Sequence, residues 1–233
     1  MSPSGAWRKN DKFFDMYAHN MVRISLIVPV VALGDPAKNA SWIESLYLEA
    51  CEGGSALCLF PELCVSGYAL DDLLQQDVSL EETLEALKRL KKATSKDNGV
   101  LVVGAPLRFH GRLYNCAVVL SRGKTLGIVP KSYLPNFREF YEARQFVPGS
   151  CSLVDEVEFL GEERVRFSCD TVFECHENHD FCFGVEICQD LWVPVPPSTF
   201  QAWRGATVLC NLSASNVTMG KAEYRTQLVS AAS

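Results

Sequence analysis

The chain has 233 residues, 48% of them hydrophobic and 21% charged, and a net charge of -6. This composition supports one substantial core and excludes a disordered chain, and an acidic balance without clustered Lys and Arg excludes a broad nucleic-acid footprint. The longest apolar stretch, "ISLIVPVVAL", is too short to span a bilayer, so small molecules or other proteins are the expected partners, with no nucleic acid and no membrane.

Residues 1–20, with Trp7, Arg8, Lys9, Asp11 and Lys12, lack an apolar core followed by a small-residue cleavage site, so no signal peptide is expected. Apolar β-rich runs then recur: "RISLIVPVVAL" from Arg23, "SALCLFPE" from Ser55, "VLVVGAPL" from Val100, "LYNCAVVLS" from Leu113, "FCFGVEIC" from Phe181 and "ATVLCNLSAS" from Ala206. Between them the spacing predicts helices over Asp35–Cys51, with Pro36 suited to a first turn, and over Ser79–Lys96. The chain is therefore expected to be α/β. "SRGK" at 121–124 reads as a hairpin turn, since its Gly-Lys-Thr lacks the upstream glycine of a phosphate-binding loop. Asp71 and Asp72 are read as capping or solvating a local turn. Of the ten cysteines, Cys58, Cys116, Cys182 and Cys210 lie within apolar runs, where a free thiol acts as a small hydrophobe; this usage predicts a reducing, cytoplasmic setting. The chain stops at "RTQLVSAAS", within a helix-like segment with neither Gly cap nor Pro stop, and a fragment is the expectation.

Three residues share a position that suits chemistry. Cys188 ends an apolar run and is followed by Gln189, Asp190 and a Pro-rich turn; Glu62 terminates "LCLFPE"; Lys131 follows "LGIVP" and opens the aromatic-rich "KSYLPNFREFYE". Singly, they read as a core thiol, a solvated strand end and a surface lysine. Jointly, each stands at the carboxyl end of a different strand, where α/β sheets gather ligands.

"FPELCVSGY", "KSYLPNFREFYE" and "GVEICQDLW" resemble the three signature segments of the nitrilase superfamily of carbon-nitrogen hydrolases. "LGDPAKNASWI", "KSYLPNFREFYEARQFVPG", "VPVPPS" and "NLSAS" further resemble the glutamine amidotransferase domains of glutamine-dependent NAD synthetases of the bacterial long-chain type, from about Phe14 to Ser233. The resemblance implies a four-layer α-β-β-α sandwich filling residues 1–233 as one domain, incomplete at its carboxyl end. It also implies Cys188 as nucleophile, Glu62 as general base and Lys131 as oxyanion stabiliser, acting on the side-chain amide of glutamine. No metal or cofactor is implied in this domain; ATP and Mg belong to a partner synthetase domain, whose Ser-Gly-Gly phosphate loop the chain lacks, and relatives form homo-oligomers. Glu139 matches a second acidic position that orients Lys131 or the substrate. Phe140 and Trp192 match the wall around the glutamine chain, and Tyr68 and Phe137 an aromatic entrance. Gln189 stands where the family commonly has Glu, and Lys221 where bacterial relatives often have Arg; Ser215 keeps a hydroxyl nearby. Amide hydrolysis survives these changes, but affinity for free glutamine is put in question, because an amide adds no charge and an ammonium lacks the bidentate fork. A stand-alone amidase and a non-catalytic, oligomer-forming fragment are the rival expectations. Cys169, Cys175, His176, His179 and Cys182 lie close in sequence but form no CxxC pair, so a polar loop is expected there in preference to zinc.

Overall fold

The computed structural model describes Tyr17 and residues 21–232; Trp7, Arg8, Lys9, Asp11, Lys12, Phe14 and Ser233 lie outside the described residues. Five strands, β1 (Ile24–Leu26), β2 (Leu57–Leu59), β3 (Val100–Phe109), β4 (Arg112–Ser121) and β5 (Lys124–Pro130), form a sheet in that order. The first three are parallel and the rest antiparallel. Helices α1 (Pro36–Glu52) and α2 (Asp77–Ala93) provide the crossovers that parallel strands require. Asp35 caps α1 by accepting from the Lys38 N–H at 2.9 Å, and Pro36 occupies the first turn, where its missing N–H costs nothing.

Alternation along the strands sorts side chains into two layers. Cys58, Leu101, Val103, Val118 and Leu120 pack beneath Ile43, Tyr47, Leu87 and Leu90 of the two helices. Leu57, Leu59, Val102, Val119 and Val129 face the other way, against Phe183, Val185 and Ile187. Those last three belong to β9 (Cys182–Ile187), the centre of a second sheet that it forms with β8 (Val172–Glu174), antiparallel, and β10 (Val208–Leu212), parallel. The outer face of β9 is covered by α4 (Pro197–Trp203). Gly184 permits that closeness, because a Cβ there would fall 2.2 Å from the Gln201 side chain. The layers therefore run helices, sheet, sheet, helix, as the family resemblance implies. A short helix α3 (Glu142–Gln145), a ribbon of β6 (Glu156–Phe159) and β7 (Glu162–Arg166), and α5 (Lys221–Ala232) complete the described residues.

The expected turn at 121–124 is present: Arg122 and Gly123 both take positive φ, 50° and 73°, as a two-residue hairpin requires. The run from Arg23 is corrected, since β1 ends at Leu26 and the following residues leave the sheet. Pro29 has no N–H for a ladder, Val28 and Val30 are exposed, and Ala32 bonds the Asn39 side chain instead. Asp72 does more than solvate a turn, because it accepts both Nε and Nη2 of Arg144, each at 3.0 Å. All ten cysteines are free thiols. No helix among the described residues is long and apolar enough to cross a membrane.

Candidate active site

Each of the three strand-end residues is held by a local backbone constraint. After β2, the Phe60 N–H bonds the Val102 carbonyl, and the chain turns at Glu62 directly over β3. Gly104 makes room for that turn, because a Cβ there would lie 2.2 Å from the Leu63 nitrogen. Lys131 leaves β5 with its N–H on the Asn115 carbonyl at 2.8 Å. Cys188 leaves β9 at φ 47°, and Leu63, beside Glu62, sits at 50°; left-handed non-glycine residues of this kind are held only where the surroundings over-determine them. Glu62, Lys131 and Cys188 are all buried.

The side chains form one hydrogen-bonded cluster. Oε1 of Glu62 accepts from Lys131 Nζ at 2.6 Å and from Asn115 Nδ2 at 2.7 Å, while Oε2, among the described residues, accepts only the Ala214 N–H, at 2.9 Å. Lys131 Nζ also donates to Glu142 Oε1 at 2.7 Å, and the Tyr68 hydroxyl donates to the same oxygen at 2.7 Å. Glu142 Oε2 has no partner among the described residues despite its burial. The Ser213 hydroxyl, adjacent to Ala214, donates to the Cys188 Sγ at 3.4 Å. Thus the loop after β10 touches the thiol with one residue and the carboxylate with the next.

Burial and the Glu62 charge push the Cys188 thiol up to about 11, with Lys131 and Ser213 working against them. Burial disfavours the charged Lys131, but the carboxylates of Glu62 and Glu142 outweigh it and its pKa is raised, so the ammonium is firmly protonated. Glu142 is raised by burial, Lys131 opposing and Glu62 assisting. Tyr68 is raised by burial and by the Glu142 charge.

Phe137, Glu139, Phe140, Gln189, Trp192, Ser215 and Lys221 line a single cavity of about 500 Å³ with Cys188 in its wall. Tyr68 lies outside it, in a neighbouring cavity of about 570 Å³ that shares Glu139 and Phe140. Glu139 is bonded to the Asn216 amide, whose Oδ1 accepts from Lys221, while Lys221 Nζ also lies 5.4 Å from the Trp192 ring centre. The second acid that meets Lys131, besides Glu62, is therefore Glu142; Glu139, three residues earlier and expected to orient Lys131 or the substrate, meets Asn216 in the cavity wall instead. Sequence reasoning missed it, together with Asn115, Ser213 and Ala214. The signal was available in the two acids of "REFYEAR", but choosing between them requires the turn that precedes α3. The Cys169–Cys182 group is dispersed: Cys169 bonds the Pro130 carbonyl, Cys175 bonds Glu177, and His179 bonds Glu174. No group of three or more metal-ligating side chains occurs among the described residues.

The family model for carbon-nitrogen hydrolase matches residues 27–233. The chain is 44% identical over 221 residues to a glutamine-dependent NAD(+) synthetase of Mycobacterium bovis, covering 95% of this chain and 32% of that one, and 31% identical to one of Thermotoga maritima, covering 90% and 33%. It thus spans about a third of the length of the curated relatives it matches. Among solved structures, a glutamine-dependent NAD(+) synthetase from Cytophaga hutchinsonii aligns with a TM-score of 0.75 at 26% identity, over 89% of this chain and 33% of that one. An amidase of the nitrilase superfamily from Nesterenkonia shares the fold, with a TM-score of 0.69 at 21% identity over 90% of this chain and 71% of the amidase. The four-layer fold and the match along most of the sequence place this chain in the carbon-nitrogen hydrolase family.

Proposed function

We propose that the chain hydrolyses the side-chain amide of glutamine through a thioester on Cys188, and that the ammonia released is used by a synthetase domain to convert a nicotinic acid dinucleotide to NAD with ATP and Mg. The observation that carries the chemistry is the unequal saturation of the Glu62 carboxylate. Oε1 is filled by Lys131 and Asn115, while among the described residues Oε2 has one partner, the N–H of Ala214, which follows the Ser213 that meets the thiol.

Oε2 takes the Sγ proton as sulfur attacks the amide carbon. A raised thiol pKa suits transfer at the moment of attack better than a standing thiolate. Lys131 has three N–H donors and its carboxylate partners engage two, so the third serves the oxyanion together with the N–H of Gln189, in a first turn whose N–H groups lack intrahelical acceptors. In a dry site, removing one such donor typically costs about 10² to 10³ in kcat. Glu62 then returns its proton to the departing ammonia, and afterwards takes one from the water that cleaves the thioester to glutamate. Phe140 and Trp192 wall the side chain, Phe137 stands at the mouth, and Glu139, Gln189, Ser215 and Lys221 meet the amino-acid end.

Cysteines buried inside apolar strands, such as Cys58 and Cys116, support a cytoplasmic setting, and the homo-oligomeric parent rests on the resemblance to the family alone. The stand-alone amidase is the second reading, favoured by one contact: Lys221 is already committed to Asn216 and Trp192 and has no second arm for a carboxylate. The test is glutamine-dependent ammonia release by the wild type and by Cys188→Ala. Release that survives the substitution overturns the proposal, and turnover of simple amides without glutamine selects the amidase.

A further inference from the structure

Asp190, two residues after the thiol, is 1% exposed and is not among the groups assigned to chemistry above. A carboxylate so placed forfeits its hydration and persists only where donors replace it. Its donors come from two separate segments. Oδ1 accepts the Tyr133 N–H at 2.8 Å and the Ser132 N–H at 3.1 Å, and Oδ2 accepts the Ile187 N–H at 3.0 Å. Ser132 and Tyr133 directly follow Lys131, and Ile187 directly precedes Cys188. Three backbone N–H groups thus converge on one side chain, two from the loop after β5 and one from the end of β9.

We propose that Asp190 is a positioning residue that fixes the distance between Cys188 and Lys131 by tying the backbone after the lysine to the backbone before the cysteine. Two observations require such a tie. Cys188 is held in a left-handed conformation that the surroundings must enforce. The strands that deliver the two residues, β5 and β9, belong to different sheets, so no ladder hydrogen bond sets their separation. The proposal rests on the thioester reading above, but one of its two readouts, alkylation of Cys188, does not depend on the identity of the substrate.

The experiment compares wild type with Asp190→Asn and Asp190→Glu. In Asp190→Asn one of the two acceptor oxygens becomes an NH2, which confronts either the Ile187 N–H or the N–H groups of Ser132 and Tyr133, so the tie is cut on one side. The expected result is a fall in kcat of about 100-fold, the loss that a misplacement of about 1 Å produces, with KM changed less than about 3-fold. A second readout is the pH profile of Cys188 alkylation by iodoacetamide. Glu62, Lys131 and Glu142 are the charged groups that act on this thiol, and Lys131 alone of the three lowers its pKa. Distancing Lys131 therefore moves the alkylation profile to higher pH, an effect that loss of stability alone does not produce. Asp190→Glu keeps the charge but displaces it by one methylene, and gives the same two shifts to a smaller extent; it answers the question if Asp190→Asn does not fold. A folded variant with wild-type kcat and an unmoved profile overturns the proposal, as does a loss confined to KM. If wild type releases no ammonia from glutamine while the profile still moves, the glutaminase reading falls and the positioning role stands.

Discussion

Replacing Lys131 by Met removes the ammonium but keeps the length of the side chain, and the structure sets the size of the effect. Nζ lies 2.6 Å from Glu62 and 2.7 Å from Glu142, and the three side chains are at most 4% exposed. Without the ammonium two carboxylates face each other in a buried site. Breaking a buried pair in this way costs about 3 to 5 kcal/mol, because the remaining charge is left uncompensated. For a chain of this length each kcal/mol moves Tm by about 2 to 4 °C, so the variant is expected to melt about 6 to 20 °C lower. The loss also depends on pH. Burial and Glu62 already raise the Glu142 pKa against the opposing effect of Lys131, and removing Lys131 raises it further. A carboxylate with a raised folded pKa binds its proton more tightly in the folded state, so its contribution favours folding at low pH and is lost as pH rises through the folded pKa. Urea midpoints of Lys131→Met and wild type, taken at about pH 5 and about pH 8, therefore differ less at the lower pH. A deficit below about 1 kcal/mol, or one of equal size at both pH values, would refute the reasoning.

Three further perturbations probe other parts of the site. Glu62→Gln removes the charge that ranks next after burial in raising the Cys188 thiol, so the iodoacetamide profile, which in wild type climbs toward about 11, shifts to lower pH while turnover is lost. A shift to higher pH would contradict the assignment. Gly104→Ala places a Cβ 2.2 Å from the Leu63 nitrogen and pushes the Glu62 turn off β3; stability falls by about 1 to 3 kcal/mol and kcat by about 100-fold, read by melting and initial rates. Trp192→Ala removes the ring that Lys221 and Arg225 approach at 5.4 and 5.7 Å. With each cation–π contact contributing about 0.5 to 1 kcal/mol, stability falls by about 1 to 2 kcal/mol, read by melting, and because the ring also lines the cavity beside Cys188 KM for glutamine rises while kcat changes less.

The α/β class was legible because short apolar runs such as "FCFGVEIC" alternate with segments of helical spacing, whereas the four-layer arrangement came only from the resemblance to the family. Residues at the β2, β5 and β9 exits were legible because each apolar run gives way there to polar residues: Glu62 and Lys131 themselves, and Gln189 and Asp190 directly after Cys188. What stayed hidden depends on partners distant in sequence. Glu142 reaches Lys131 only because the chain turns before α3, and nothing in the local pattern distinguishes it from Glu139. Asn115 lies inside an apolar strand and is explained only by the carboxylate across from it. The apolar run after Arg23 misled because composition records hydrophobicity but not whether a second layer lies above it; Leu26, Val28 and Val30 are more than 70% exposed.

The most direct measurement is peptide mapping after treatment with a chloroketone analogue of glutamine, with and without glutamine present. Labelling confined to Cys188 among the ten cysteines, and suppressed by glutamine, is the predicted result. Labelling spread across exposed thiols such as Cys151, or modification of Cys188 that glutamine does not slow, would contradict a glutamine site built on Glu62, Lys131 and Cys188.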